Sequence, residues 1–179
     1  EMPVAPNGIT RLMAVYQCNK PEEIGSIRSS REDFIPLAAG MKALYAHWGG
    51  EQAALAKLNS GVVDNVDALK YEGTTFYRKK GVPAPHNGFS SSELLLKKAE
   101  DLKYSFENKF EGYPHSDKAA NDKNISNIAN LIKTGYTNPF NASWVYSETE
   151  NQYKRLRNGK AEMDRNTNSQ ISATVVIIM

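Results

Sequence analysis

The sequence predicts a mixed α/β fold: a central mixed sheet, about three helices in the first 105 residues, and a β-rich last third. Three observations predict it. Short apolar runs alternate with stretches of helical spacing as far as Lys103. After that, β-branched and aromatic runs are separated by turn signals. Finally, 179 residues that are 40% apolar and 23% charged can bury an ordinary core, and residues 1–179 read as one domain.

The same composition excludes several classes. Twenty-two basic against 20 acidic residues leave a net charge of +2, and the basic residues are dispersed, which argues against a nucleic-acid partner. No apolar run approaches the roughly 20 residues that span a bilayer. One cysteine, Cys18, allows no internal disulfide, and it reads as structural inside a strand-like run. Three scattered histidines give no metal signature, and no motif asks for a cofactor. The chain opens on Glu1-Met2-Pro3 and closes on an unpunctuated run, Ser172 to Met179, so a longer parent protein is expected at both ends.

Ile9 to Gln17 reads as a largely apolar, hence central, strand, with Arg11 as its odd member. An arginine there needs a partner or faces a cleft. Asn19 to Glu23 is a loop. Gly25-Ser26-Ile27-Arg28-Ser29-Ser30-Arg31 follows, with Ser30 and Asp33 as a capping-box variant for a helix running from Glu32 to near Gly40. A helix N-terminus beside two arginines makes an anion-binding corner. The alternative is that both arginines pair with Glu22, Glu32 or Asp33. Pro36 is tolerated in the helix's first turns.

Ala43 to Trp48 reads as a second strand, running into Gly49-Gly50 and a helix from Glu51 to Leu58 with Gly61 at its end. Such βα turns attract ligands, and His47 stands beside this one. Val62 to Lys70 is mixed, and Tyr71 to Arg78 is strand-like. Val82 to Phe89 is a loop stiffened by Pro83 and Pro85 that presents His86-Asn87. Ser90 and Glu93 form a capping box for the clearest helix, with Leu94, Leu95, Ala99 and Leu102 on its apolar face. Phe106 to Asn124 is a polar loop carrying a solvent-facing His115. Strands are expected at Ile125–Ile132, Ala142–Tyr146, Gln152–Arg157 and Ile171–Met179, with Asn158-Gly159 as a hairpin turn. Asn124-Ile125-Ser126 and Asn141-Ala142-Ser143 match the glycosylation pattern.

Laid out this way, the chain resembles the YerB-like family of bacterial lipoproteins, a domain of unknown function. The matching pieces are Gly8 to Arg11, Ile24 to Arg31, Tyr45 to Gly50, Leu69 to Gly73, Phe76 to Arg78, Ala84 to Asn87, and Tyr153 to Arg155 with Gly159 and Asp164. Ala5-Pro6-Asn7 departs from the family, which tends to carry an acidic residue and glycine there. The resemblance implies an extracytoplasmic envelope protein. It would be held by a lipid at an N-terminus this chain lacks, with a further C-terminal domain beyond. It implies no established activity.

The candidate binding residues are therefore Arg11, Arg28, Arg31, His47, Arg78, His86 and Asn87. Brought together, they form a cationic pocket for a phosphate-, carboxylate- or glycan-containing anion. The first reading is an envelope binding or accessory protein whose partner is such a ligand or an envelope protein. The second is a hydrolase or transferase on an envelope phosphodiester or glycan, with His47 or His86 as acid/base and Glu72 as the one nominated carboxylate. Against it stand the absence of a nucleophile elbow and of a paired-carboxylate context. The third is a partner-binding scaffold with purely structural arginines.

Overall fold

The computed structural model describes residues 1–4, 9–108, 110–113 and 129–177. In chain order the elements are β1 (Met2–Pro3), β2 (Thr10–Arg11), β3 (Ile24–Gly25), α1 (Phe34–Gly40), β4 (Tyr45–His47), α2 (Gln52–Asn59), β5 (Asn65–Asp67), α3 (Ala68–Tyr71), β6 (Tyr77–Arg78), β7 (Gly88–Ser90) and α4 (Ser92–Asp101). They continue with β8 (Leu131–Lys133), β9 (Ala142–Ser147), β10 (Gln152–Arg157), β11 (Lys160–Ala161), β12 (Met163–Asp164), β13 (Ser169–Gln170) and β14 (Ser172–Ala173). The class is mixed α/β as expected, and the last third is β-rich. Instead of one central sheet, however, the described strands form five small ones.

The chain divides into two compact units, Met13–Gly112 and Glu1–Leu12 with Tyr113–Met179. In the Met13–Gly112 unit, β4 and β5 pair in parallel, with α2 as the crossover, as the strand–Gly-Gly–helix pattern requires. β3, β7 and β6 form an antiparallel sheet beside α4. Two apolar clusters hold the unit. Ile35, Ala38, Ala54, Leu58 and Val63 lie between α1 and α2. Trp48, Val66, Ala68, Phe76 and Leu95 join the parallel pair to α4. Burying each large aliphatic or aromatic side chain contributes about 1.5–3 kcal/mol.

The other unit carries a five-stranded antiparallel sheet, β11-β10-β9-β8 with β14 on β10, together with the β1–β2 and β12–β13 ribbons. The Asn158-Gly159 turn forms as expected, with φ of 49° and 74° between β10 and β11. Two consecutive left-handed residues define the type I′ turn that matches strand twist.

Several local expectations are corrected. The run Ile9–Gln17 is strand only at Thr10–Arg11, and Leu12, Val15 and Tyr16 are exposed. An apolar run becomes a central strand only where edges exist to pair it, and β1 pairs just two residues. Cys18 is accordingly an exposed thiol, not a structural core residue. Ser30 does not cap α1: Asp33 occupies that position, without a side-chain cap bond. Ser30 is instead buried in an extended bridge beside Gly50. The capping serine of α4 is Ser91, whose Oγ accepts from Leu94 N–H at 3.1 Å. Ser90 belongs to β7 and donates to Thr75 O at 2.7 Å. The Tyr71–Arg78 strand shrinks to Tyr77–Arg78 because α3 claims Ala68–Tyr71, with Asp67 accepting from Leu69 N–H at 2.9 Å as its cap. Of the expected Ile171–Met179 strand, the described residues form strand only at Ser172–Ala173, Val175 and Ile177 are exposed, and residues 178–179 lie outside the described residues. The expected Ile125–Ile132 strand appears as Leu131–Lys133. Residues 125–128, His115 and the Asn124 glycosylation match lie outside the described residues.

Candidate functional site

The site builds up around the loop between β6 and β7. Residues 28–30 run extended beside the end of β4, with Trp48 N–H donating to Arg28 O at 3.0 Å and Ser30 N–H to Gly49 O at 2.8 Å. In an extended run, positions three apart face opposite ways. Arg28 and Arg31 accordingly diverge, and they make no corner at a helix N-terminus. Arg28 Nη1 donates to the carbonyl of Pro85 in the loop. Arg31 Nη1 donates to Ser30 O at 2.9 Å, and its Nε lies 3.7 Å from the Glu51 carboxylate.

Arg78, at the end of β6, is fixed on three sides. Its guanidinium carbon lies 3.8 Å from the centre of the Trp48 ring. Its Nε donates to Glu72 at 2.9 Å and its Nη1 to Asn87 Oδ1 at 3.1 Å. The close approach of the strands below depends on Gly88, where a Cβ would stand 2.5 Å from the Trp48 ring. Asn87 also ties the loop back, accepting from Lys79 N–H at 2.8 Å through its carbonyl. His86 N–H donates to Pro83 O at 2.9 Å, and the residue is exposed. Lys79, next to Arg78 in the chain, pairs with Glu23. Glu23 and burial also act on Tyr77: burial first, then the neighbouring carboxylate, push its hydroxyl above the ordinary phenol range.

Four of the seven candidates, Arg28, Arg78, His86 and Asn87, thus meet at one loop, with Trp48 as the floor and Glu72 as a carboxylate brace. They form a surface patch. Two concavities of this unit, about 760 Å³ at the start of α4 and about 240 Å³ beside β5, are lined by none of them. The other three lie elsewhere. His47 is 1% exposed, its Nδ1 2.8 Å from Gly49 O and its Nε2 3.2 Å from Asn65 Oδ1. With Asp67, whose carboxylate accepts Gly49 N–H at 2.8 Å, it knits the ends of β4 and β5 together. Arg31 belongs with Glu51. Arg11 lies on β2, paired with Met2 in the other unit.

Sequence reasoning missed an ion cluster in that other unit. Arg155 is 1% exposed and pairs with Glu1 and Glu162. Arg157 joins the same two carboxylates, at 3.2 Å and 2.7 Å. Burial pushes the Glu1 carboxyl up, but hydrogen bonds from Arg155 and Thr10 and the charges of both arginines outweigh it, leaving the group below its ordinary range. The signal was present: in Tyr153-Lys154-Arg155-Leu156-Arg157, strand alternation puts both arginines on one face.

Comparison with known proteins places this architecture. Residues 1–105 match the family model described as Protein of unknown function (DUF3048) N-terminal domain, and residues 132–179 match its C-terminal domain model. The chain belongs to the DUF3048 family. The chain is 28% identical over 186 residues to "Putative lipoprotein YerB" of Bacillus subtilis (strain 168), covering 98% of this chain and 53% of that protein. The crystal structure of YerB protein from Bacillus subtilis matches with a TM-score of 0.80 at 25% identity, over 94% of this chain and 56% of that one. The chain therefore spans about half the length of these relatives. The family resemblance carried by the sequence motifs is borne out. Among the described residues no helix is long and apolar enough to cross a membrane.

Proposed function

We propose that this chain is a binding module of a lipid-anchored, extracytoplasmic envelope protein, and that the patch at the β6–β7 loop holds an anionic ligand. The observation that carries the reading is the immobilised Arg78, flat on Trp48 and braced by Glu72 and Asn87, with Arg28 pinned to the same loop. A guanidinium so held loses little entropy when it meets an oxyanion, and it offers planar, paired donors. Arg28 gives one of its five N–H donors to Pro85 and keeps the chemistry to take a phosphate or carboxylate oxygen. His86, exposed on a loop bounded by prolines, adds a polar side chain to the rim.

The envelope assignment is supported by the similarity to the Bacillus relative, which is named as a lipoprotein. Acid/base chemistry by His47 is disfavoured because it is buried with both ring nitrogens engaged. Isothermal titration against a phosphodiester wall polymer, an acidic glycan and an acidic peptide tests the reading. At least one should bind in the micromolar range, and Arg28→Ala should weaken it about tenfold, the loss of one charge-assisted hydrogen bond. Affinity no greater than that of an unrelated basic protein of equal charge would sink the proposal.

A further inference from the structure

We infer that Arg155 and Arg157 form a carboxylate-binding site of which the Glu1 side chain is the built-in occupant. Alternation along β10 sets both arginines on one face, and the Arg155 guanidinium lies 5.2 Å from the centre of the Trp144 ring. Arg155 grips Glu1 as a fork, Nη1 to Oε2 at 2.7 Å and Nη2 to Oε1 at 2.8 Å. Arg157 Nη2 adds a third donor to Oε1 at 3.2 Å, and Thr10 Oγ1 a fourth at 2.6 Å. Paired planar donors of this kind recognise a carboxylate by shape as well as charge.

The two carboxylates of the cluster are not equivalent. Glu162 is part of the scaffold: its N–H donates to Arg155 O at 3.1 Å and its carbonyl accepts from Ile171 N–H at 2.9 Å. Its carboxylate holds Nε of both arginines, which fixes the direction in which their forks point. Glu1 is brought there by its side chain, the two-residue β1–β2 ladder and the bond from Val4 N–H to Ile9 O at 2.8 Å. With Glu1 in place Arg155 is 1% exposed; without it, two guanidiniums face the single carboxylate of Glu162. A buried guanidinium with an unfilled fork takes up a carboxylate strongly, because otherwise its desolvation goes uncompensated. The Glu1 side chain and an external carboxylate therefore exclude one another, and β1 acts as a plug.

The test is chemical rescue, with small anions as probes. In Glu1→Ala, the melting temperature should fall and then rise saturably with added acetate or formate. Chloride and sulfate at equal ionic strength should not reproduce the rise. The wild type, its site filled by Glu1, should respond to acetate no more than to chloride. In Glu1→Ala/Arg157→Ala the half-saturating acetate concentration should increase about tenfold, the loss of one charge-assisted donor. A Glu1→Ala chain that folds only when acetate is present also supports the site. A Glu1→Ala chain that responds equally to acetate and chloride, or that folds in neither, overturns it.

Discussion

The two units of this protein bury different things. In Met13–Gly112 the buried side chains are mostly Phe34, Ile35, Trp48, Leu58, Val66, Phe76 and their neighbours, and its arginines Arg28, Arg31 and Arg78 lie toward the surface. In the other unit Ala142 is the only buried hydrophobic residue among those described, while Arg155 heads the protein's fully buried side chains by volume. The same residue type therefore has two energetic meanings. An exposed arginine contributes about 0–1 kcal/mol through its ion pair and is free to serve a ligand. A buried one is worth little net against an apolar replacement of the whole cluster, yet losing a single partner is severe. Charge in the first unit is available for recognition, and charge in the second substitutes for a core.

Four measurements sharpen or break that contrast, in order of expected size. Arg155→Ala leaves the Glu1 and Glu162 carboxylates to Arg157 alone and should lower stability by about 3–5 kcal/mol in urea unfolding. A loss no larger than that of Arg78→Ala would remove the distinction between the units. Gly88→Ala drives a methyl into the Trp48 ring and should cost about 1–3 kcal/mol, together with any ligand binding at the loop.

The third measurement is the acid limb of stability. Glu1 is held below its ordinary range, so its contribution is fully present above that range and is lost as pH falls from about 4 through the depressed value. Glu1→Gln should lie lower at neutral pH and run flatter across that window; parallel curves would contradict the assignment. The smallest effect belongs to Arg28→Ala, within about 0.5 kcal/mol of wild type in stability, because its residue is only half-buried and makes one hydrogen bond to a carbonyl. Its phenotype should appear in ligand titration instead.

How far the sequence reached can be judged residue by residue. The β4–Gly-Gly–α2 unit and the Asn158-Gly159 hairpin were legible because their rules are local: helical spacing, a glycine at the helix end, and a dipeptide suited to left-handed φ. So was the loop that carries His86 and Asn87. Ser30 misled, because a capping box is also what a serine in an extended bridge looks like when the partner strand is unknown. Ile9–Gln17 misled for the same reason: apolar content does not say whether an edge is waiting.

By itself, then, the sequence determined the class, the family motifs, and which polar residues are out of place in their runs. Tertiary structure alone decided which of them meet. Arg28 and Arg78, 50 positions apart in the chain, reach one loop because β3, β7 and β6 pair around Trp48. Glu1 and Arg155 meet across a separation of 154 residues. Pairing at such distances is set by strand register and by the geometry of buried charge, and neither leaves a periodic trace along the chain.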